Sequence, residues 1–361
     1  MSQKVAYEIS SLLASSGSRG EKSGVFRLLY QTILNANSSD PLFLFSLYPD
    51  LLDTVGNNKE VATLLKNRHI TLLQVPYYTI PSQINPVSFF IQKLLRFLYR
   101  KFLGDLWIED YKNKLIEVLN KNSVGKVYHG ESTYFPVPGL INSITINDLI
   151  PIKFPHLCQP KTIQDAKARL AFAKNYANEI ICISENTKKD LLEFWGESSK
   201  NKNVIVKYPS APPLTTAPTN HQPLATNHYF LSYGTYEPRK NLLMLCNLFI
   251  KLEKENKLNG YKLVLAGGKG WGGMWEEIAA LKGPIIQMGF VSDAELSELI
   301  KNAKAVLYPT LYEGYGFPVV ESRSLGTSVL CSNNSSLPEV CKENCTLVGE
   351  EEWERALTTV I

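Results

Sequence analysis

Apolar positions cluster into short runs separated by longer stretches with helical spacing. In the first half, VAYEIS (5–10), PLFLFSL (41–47), ITLLQV (70–75), KVYHG (126–130), NSITIND (142–148), EIICIS (179–184) and NVIVKY (203–208) read as strands. Residues 25–36 and 164–177 carry the 3.6-residue period of helices. The segment 208–228, YPSAPPLTTAPTNHQPLATNH, holds five prolines and no apolar period. It reads as a linker, the alternative being a long surface loop inside one domain. Alternation then resumes with strands at 229–234, 262–267, 284–289, 305–309, 327–332 and 345–349, and helices at 241–255, 293–302 and 318–325. The pattern predicts an α/β protein of two Rossmann-like, doubly wound domains, 1–207 and 229–361, joined by the linker 208–228. Ligands of such sheets bind beyond the carboxyl ends of the strands, which between two domains means a cleft onto which both face.

Bulk properties narrow the picture slightly. The chain has 361 residues, room for two cores, with 44% hydrophobic and 20% charged residues. A net charge of +4 suits an anionic small ligand or an acidic membrane surface, and no nucleic-acid partner is expected. The start, MSQKVAYEISSLL, lacks a secretory pattern, and no apolar run reaches the ~20 residues of a membrane span. The six cysteines form no C-x-x-C pair and no histidine follows His228, so neither zinc nor another metal is expected. Reduced thiols and a cytoplasmic setting are expected instead.

Three loops at strand ends carry candidate chemistry. In YGTYEPRKNLL (233–243), Arg239 and Lys240 precede Asn241, the expected N-cap of a helix. Two cations beside a helix N-terminus make an anion site, the alternative being a solvated basic turn. AGGKGWGG (266–273) has five glycines that admit close backbone approach, but it matches no phosphate-loop pattern. In LYEGYGFPVVES (311–322), Glu313 and Glu321 flank a glycine-containing turn, with Pro318 opening a helix. The alternatives here are an ordinary loop carboxylate for Glu313 and a dipole-stabilising acid in the first helical turn for Glu321.

At these residues the sequence resembles a known family. GTYEPRKN, VSDAELSELIKNAKAVLYPTLYEGYGFPVVES and GTSVLCSNNSSLPEV are similar to the donor domain of retaining glycosyltransferases of family 4, which have the GT-B fold and an E-x7-E signature. SGVFR (23–27), ITINDLIPIKFP (144–155) and ICISENTKKDL (181–191) resemble first-domain segments of the same family. The resemblance implies that Glu321 holds the nucleotide ribose and that Glu313 lies by the transferred sugar. Gly314, Tyr315, Gly316 and Phe317 would line the pocket. Arg239 and Lys240 would neutralise the diphosphate, with Gly234 and Thr235 at the strand end and Gly24 from the other domain. Asn147 stands where the family often has a histidine, and Thr235 where many relatives have arginine. The ending EEWERALTTVI is shorter than the crossing helix usual in relatives.

The chemistry implied is hexosyl transfer from a nucleotide-sugar to a glycan or lipid-linked glycan, with retention of configuration. No D-x-D triplet is present, so Arg239, Lys240 and helix dipoles would take the place of a metal, and no cofactor is expected. AGGKGWGG resembles loops of bacterial mannosyl- and rhamnosyltransferases and favours GDP-mannose over a UDP- or dTDP-sugar. Two other functions stay open, a catalytically silent nucleotide- or glycan-binding subunit and a sugar-nucleotide epimerase. Residues 88–103, SFFIQKLLRFLYRKFL, read either as a core-packed helix or as a basic amphipathic helix on the inner face of an anionic membrane.

Overall fold

The structure, a computed structural model, describes residues 4–14, 24–36, 41–46, 59–67, 69–73, 75, 106–130, 135–210 and 228–361. The segment 88–103 and most of the proline-rich 208–228 lie outside these residues.

Thirteen strands are described, one for each apolar run. The first sheet contains β1 (Lys4–Glu8), β2 (Leu42–Phe45), β3 (Ile70–Leu72), β4 (Val124–His129), β5 (Ile141–Ile146), β6 (Glu179–Cys182) and β7 (Val204–Val206). Their order is β3-β2-β1-β4-β5-β6-β7. The second sheet contains β8 (Tyr229–Tyr233), β9 (Lys262–Ala266), β10 (Ile285–Gly289), β11 (Val306–Tyr308), β12 (Val329–Ser332) and β13 (Cys345–Val348), in the order β10-β9-β8-β11-β12-β13. The pairings of β1 with β2 and β4, and of β8 with β9 and β11, are parallel. Both sheets therefore run outward in two directions from a central pair, the doubly wound arrangement expected.

Strand interiors explain why the runs are nearly continuous in apolar character. Every residue of β2, β8, β11 and β12 is buried, as a parallel sheet covered on both faces requires. In the second sheet Phe230, Leu263, Leu265 and Leu307 pack against Leu245, Phe249 and Leu252 of the helix Leu242–Lys254. In the first, Phe43, Phe45 and Val127 pack against Tyr111, Leu115 and Leu119 of the helix Leu106–Lys121.

Contacts divide the chain into two compact units, one of residues 1–145 with 168–180 and one of 146–167 with 181–361. The second thus includes 146–167 and 181–207, which the sequence boundary at 207 assigns to the first domain. In the first unit Asn142 ties together a buried polar cluster. Asn142 Oδ1 accepts from Val137 N–H (2.8 Å), and its Nδ2 donates to Val137 O (3.0 Å) and Leu140 O (3.1 Å). Its Oδ1 is therefore the acceptor facing His129 Nε2 at 2.8 Å, so Nε2 carries the proton. Burial holds the His129 pKa down at about 4, against the pull of the Asn142 bond, and the ring is neutral.

Cys341 and Cys345 form a disulfide, with Cα atoms 5.3 Å apart. The expectation of reduced thiols fails at this pair. The turn between them brings the two sulfurs together, a proximity that spacing alone does not reveal. Cys158, Cys182, Cys246 and Cys331 are free thiols. Among the described residues no helix is long and apolar enough to cross a membrane.

Candidate active site

In the second sheet the strand order reverses between β8 and β11, the kind of switch point at which ligands of such sheets bind. The loop after β8 carries Gly234, Thr235, Arg239 and Lys240. The loop after β11 carries Thr310, Glu313 and the start of the helix Phe317–Ser324.

Glu313 is the hub. Its Oε1 accepts from Lys240 Nζ (2.7 Å), Tyr308 OH (2.7 Å), Thr310 Oγ1 (3.1 Å) and Arg239 Nη1. No hydrogen bond reaches Oε2 among the described residues. The backbone is fixed as firmly, with Glu313 N–H donating to Ser335 Oγ (3.0 Å) and Glu313 O accepting from Ser336 Oγ (3.0 Å). Burial would raise the carboxyl pKa, but the charges of Arg239 and Lys240 and the hydrogen bonds from Lys240 and Tyr308 outweigh it and hold Glu313 at about 2. It is a carboxylate at every physiological pH, so the reading of Glu313 as an ordinary loop acid fails.

The two cations are equally constrained. Lys240 is buried, and its Nζ also donates to Tyr308 OH at 2.5 Å. Burial and the charge of Arg239 lower its pKa, and Glu313 opposes them. Arg239 Nε donates to Glu237 Oε2 at 2.8 Å. The half-buried Arg239 guanidinium is stabilised in its charged form, chiefly by Glu313 and Glu237, against the opposing effect of desolvation. A solvated basic turn is thereby excluded. Asn241 does occupy the N-cap position of the helix that follows, but at φ 54° and with no side-chain cap bond. Asparagine tolerates this left-handed conformation, and here it ends the 3-10 turn Pro238–Lys240.

Glu321 is buried in the helix Phe317–Ser324, past its first turn. A dipole-stabilising role in the first turn is therefore ruled out. Its Oε2 lies 3.1 Å from Tyr233 OH at the end of β8, so the second carboxylate also reaches the β8 side. Pro318 opens this helix after Gly316, whose φ of 104° a side chain would strain.

The remaining residues of the expected pocket divide. A Cβ on Gly314 would lie 2.2 Å from Asn147 O, so Asn147, just after β5, is pressed against this loop. Thr187 Oγ1 bridges them, reaching Asn147 O (3.2 Å) and Gly314 O (3.3 Å). Thr235 is exposed, and Gly234 lies against Lys240, whose Nζ is 3.8 Å from where a Cβ would stand. Tyr315 is less available, because its hydroxyl donates to Pro209 O (3.1 Å) and its ring packs edge-on against the half-buried Phe317. Gly24 opens the helix Gly24–Leu34 of the first unit. In the glycine-rich 266–273, a Cβ on Gly267 would lie 1.9 Å from Gly234 O and one on Gly270 2.1 Å from Tyr236 O. These two glycines admit the neighbouring loop's backbone.

The sequence reading missed several partners. Tyr308 and Thr310 are close enough in sequence to Glu313 that their hydroxyls were a usable signal. Ser335 and Ser336 were not, since only the fold brings them to Glu313. The same holds for Tyr312, whose hydroxyl accepts from Asn186 Nδ2 (2.7 Å) and donates to Asp190 of the helix Glu185–Trp195.

Comparison with known proteins bears on the fold and on the family likeness. Residues 217–360 match the family model described as Glycosyl transferases group 1. O-antigen chain mannosyltransferase B of Escherichia coli is 29% identical over 59% of this chain and 58% of its own length. O-antigen chain mannosyltransferase RfbU of Salmonella typhimurium is 24% identical over 63% of this chain and 64% of its own. The matched part thus spans less than two thirds of either relative. The crystal structure of Anabaena Alr3699/HepE in complex with UDP and glucose has a TM-score of 0.63 at 14% identity, covering 99% of this chain and 89% of that one. The fold is that of its GT-B structural neighbour, and residues 217–360 are similar to group 1 glycosyltransferase domains.

Proposed function

We propose that this protein is a glycosyltransferase that moves a mannosyl group from GDP-mannose to a glycan or lipid-linked glycan, with retention of configuration. The observation that carries the reading is the hub at Glu313. Four donors converge on Oε1, and Oε2 is left for a ligand, beside two cations at the switch point of a doubly wound sheet. Mannosyl transfer draws support from the two O-antigen relatives, and retention from the resemblance to family 4.

When the anomeric C–O bond breaks, negative charge builds on the departing diphosphate. Arg239 and Lys240 have N–H groups beyond those bound to Glu313, Glu237 and Tyr308, and these serve the leaving phosphates. Pre-oriented charge in a buried site is worth more than the same charge in water and needs no reorganisation during reaction. In this reading the two side chains do the work that other enzymes give to a divalent ion. Glu313 Oε2 accepts from a sugar hydroxyl, and Glu321 from the ribose.

The test is nucleotide release from GDP-mannose, UDP-glucose and dTDP-rhamnose, with and without crude lipid or glycan acceptor and with and without EDTA. The reading requires acceptor-dependent GDP release that survives EDTA, and an NMR spectrum showing the donor's anomeric configuration in the product. Release without acceptor would support an epimerase or hydrolase. Binding without turnover of any donor would support a silent subunit.

A further inference from the structure

Three cysteines gather at the β13 edge of the second sheet, and none of them bonds Glu313. Val329 of β12 is in register with Cys345 of β13, and Cys331 with Leu347. Cys331 and Cys345 therefore share one face of neighbouring strands as diagonal neighbours, with sulfurs 3.6 Å apart. Cys341 ends the helix Leu337–Val340, its N–H bonded to Leu337 O at 2.9 Å. A tight turn with Asn344 at φ 58° returns the chain to Cys345. All three sulfurs lie within 4.8 Å of one another.

We propose that, in the reduced chain, Cys331, Cys341 and Cys345 bind one soft d10 cation, Zn2+ being the probe, and that the Cys341–Cys345 disulfide is the oxidised, metal-free form of the same site. A zinc ion ~2.3 Å from each thiolate sets its sulfur ligands roughly 3.7–4.0 Å apart. The Cys331–Cys345 pair already stands near that spacing, and the bonded pair must separate. Cys341 and Cys345 are half-buried, which leaves water access for a fourth position. Thiolate ligands favour zinc and copper(I) over harder ions.

The balance is simple. A phosphine reductant takes up the oxygen of one water and delivers two electrons and two protons to the disulfide, giving two thiols and a phosphine oxide. Zn2+ then displaces three protons from the three thiols. The ion would pin the end of the helix Leu337–Val340 to β13. Arg323 already grips this turn through Val340 O (3.1 Å) and Glu343 O (2.8 Å). Asn334, Ser335 and Ser336, which support the loop around Glu313, lie immediately upstream. No feature of sequence spacing announces the site, because the third sulfur comes from a neighbouring strand.

The experiment uses the full chain, reduced with a phosphine under argon and freed of reductant, with thiols counted on a denatured aliquot. Zinc is titrated against a chromophoric chelator, cobalt(II) is followed by absorption, and alkylation is mapped by mass spectrometry. Expected are one zinc per chain, a sulfur-to-cobalt charge-transfer band, and protection of Cys331, Cys341 and Cys345 from alkylation. C331S and C341S should each weaken zinc binding by at least the ~10–100-fold that even outer-shell changes produce, while C158S should not. Circular dichroism checks the fold of each variant, and the half-buried Cys341 gives a second test if C331S misfolds. Absence of stoichiometric zinc with all thiols free would overturn the proposal. So would binding unchanged in folded C331S or C341S, or a Cys341–Cys345 pair that cannot be reduced without unfolding.

Discussion

Lys240 Nζ and Glu313 Oε1 lie 2.7 Å apart, each delivered by the loop after a different strand, β8 and β11, and both side chains are buried. Neither group would tolerate that environment alone. Arg239, Tyr308 and Thr310 complete the cluster on the same oxygen. The pairing makes the switch point a rigid block of charge.

Removing the carboxylate should therefore damage stability as well as turnover. Glu313→Gln keeps the shape but leaves Lys240 and Arg239 without their shared counter-charge. Breaking a buried pair from one side costs about 3–5 kcal/mol. Chemical denaturation of the variant should show a loss of that order, with transferase activity abolished.

Acid should reveal the same group. The Glu313 pKa is held at about 2 in the folded chain, below its ordinary value of 4.5. A depressed carboxyl stabilises the fold above the unfolded value, and this stabilisation is lost as pH falls through the folded one. Its contribution, on the order of 3 kcal/mol, should disappear between about pH 4.5 and pH 2. Stability curves of wild type and Glu313→Gln should converge over that window.

His129 should titrate late. Its folded pKa of about 4 lies below the ordinary 6.5 because the ring is buried. The unfolded chain thus takes up its proton first, and stability drops as pH falls from about 6.5 to about 4. NMR of the ring C–H protons should give a midpoint near 4. A midpoint near 6.5 would mean that the ring is solvated.

Gly314→Ala should be severe for a steric reason. The added carbon would meet Asn147 O at 2.2 Å, backbone against backbone, with no side chain to swing aside. Loss of activity and a lowered melting temperature are expected. Gly139→Ala is the control, since no atom lies within 4 Å and only its φ of 77° is strained, a cost of roughly 1 kcal/mol.

Much of this was legible in the sequence, and the reasons are local. The strands announce themselves because parallel sheets bury both faces, so runs such as LFLF and VLY read as unbroken apolar segments. The carboxylates Glu313 and Glu321 and the adjacent Arg239 and Lys240 share short motifs. Reading further failed where contacts are made by the fold. Ser335 and Ser336 reach Glu313 only because β12 lies beside β11. Asp190 and Asn186 meet Tyr312 across more than a hundred residues of chain. The glycines at 267 and 270 suggested a ligand loop, yet they serve the packing of one loop on another. Asn241 does stand at the helix N-cap, but in a left-handed conformation and without the side-chain cap bond that the sequence suggested.

The central claim is that Arg239 and Lys240, steadied by Glu313, hold the phosphates of a nucleotide-sugar. Its most direct test is calorimetric titration of GDP into wild type, Arg239→Gln and Lys240→Met, each shown folded by circular dichroism. Hydrogen bonds to charged groups are worth about 1.5–3 kcal/mol, so each substitution should weaken binding by roughly 10- to 150-fold. Wild-type affinity for GDP in both folded variants would contradict it.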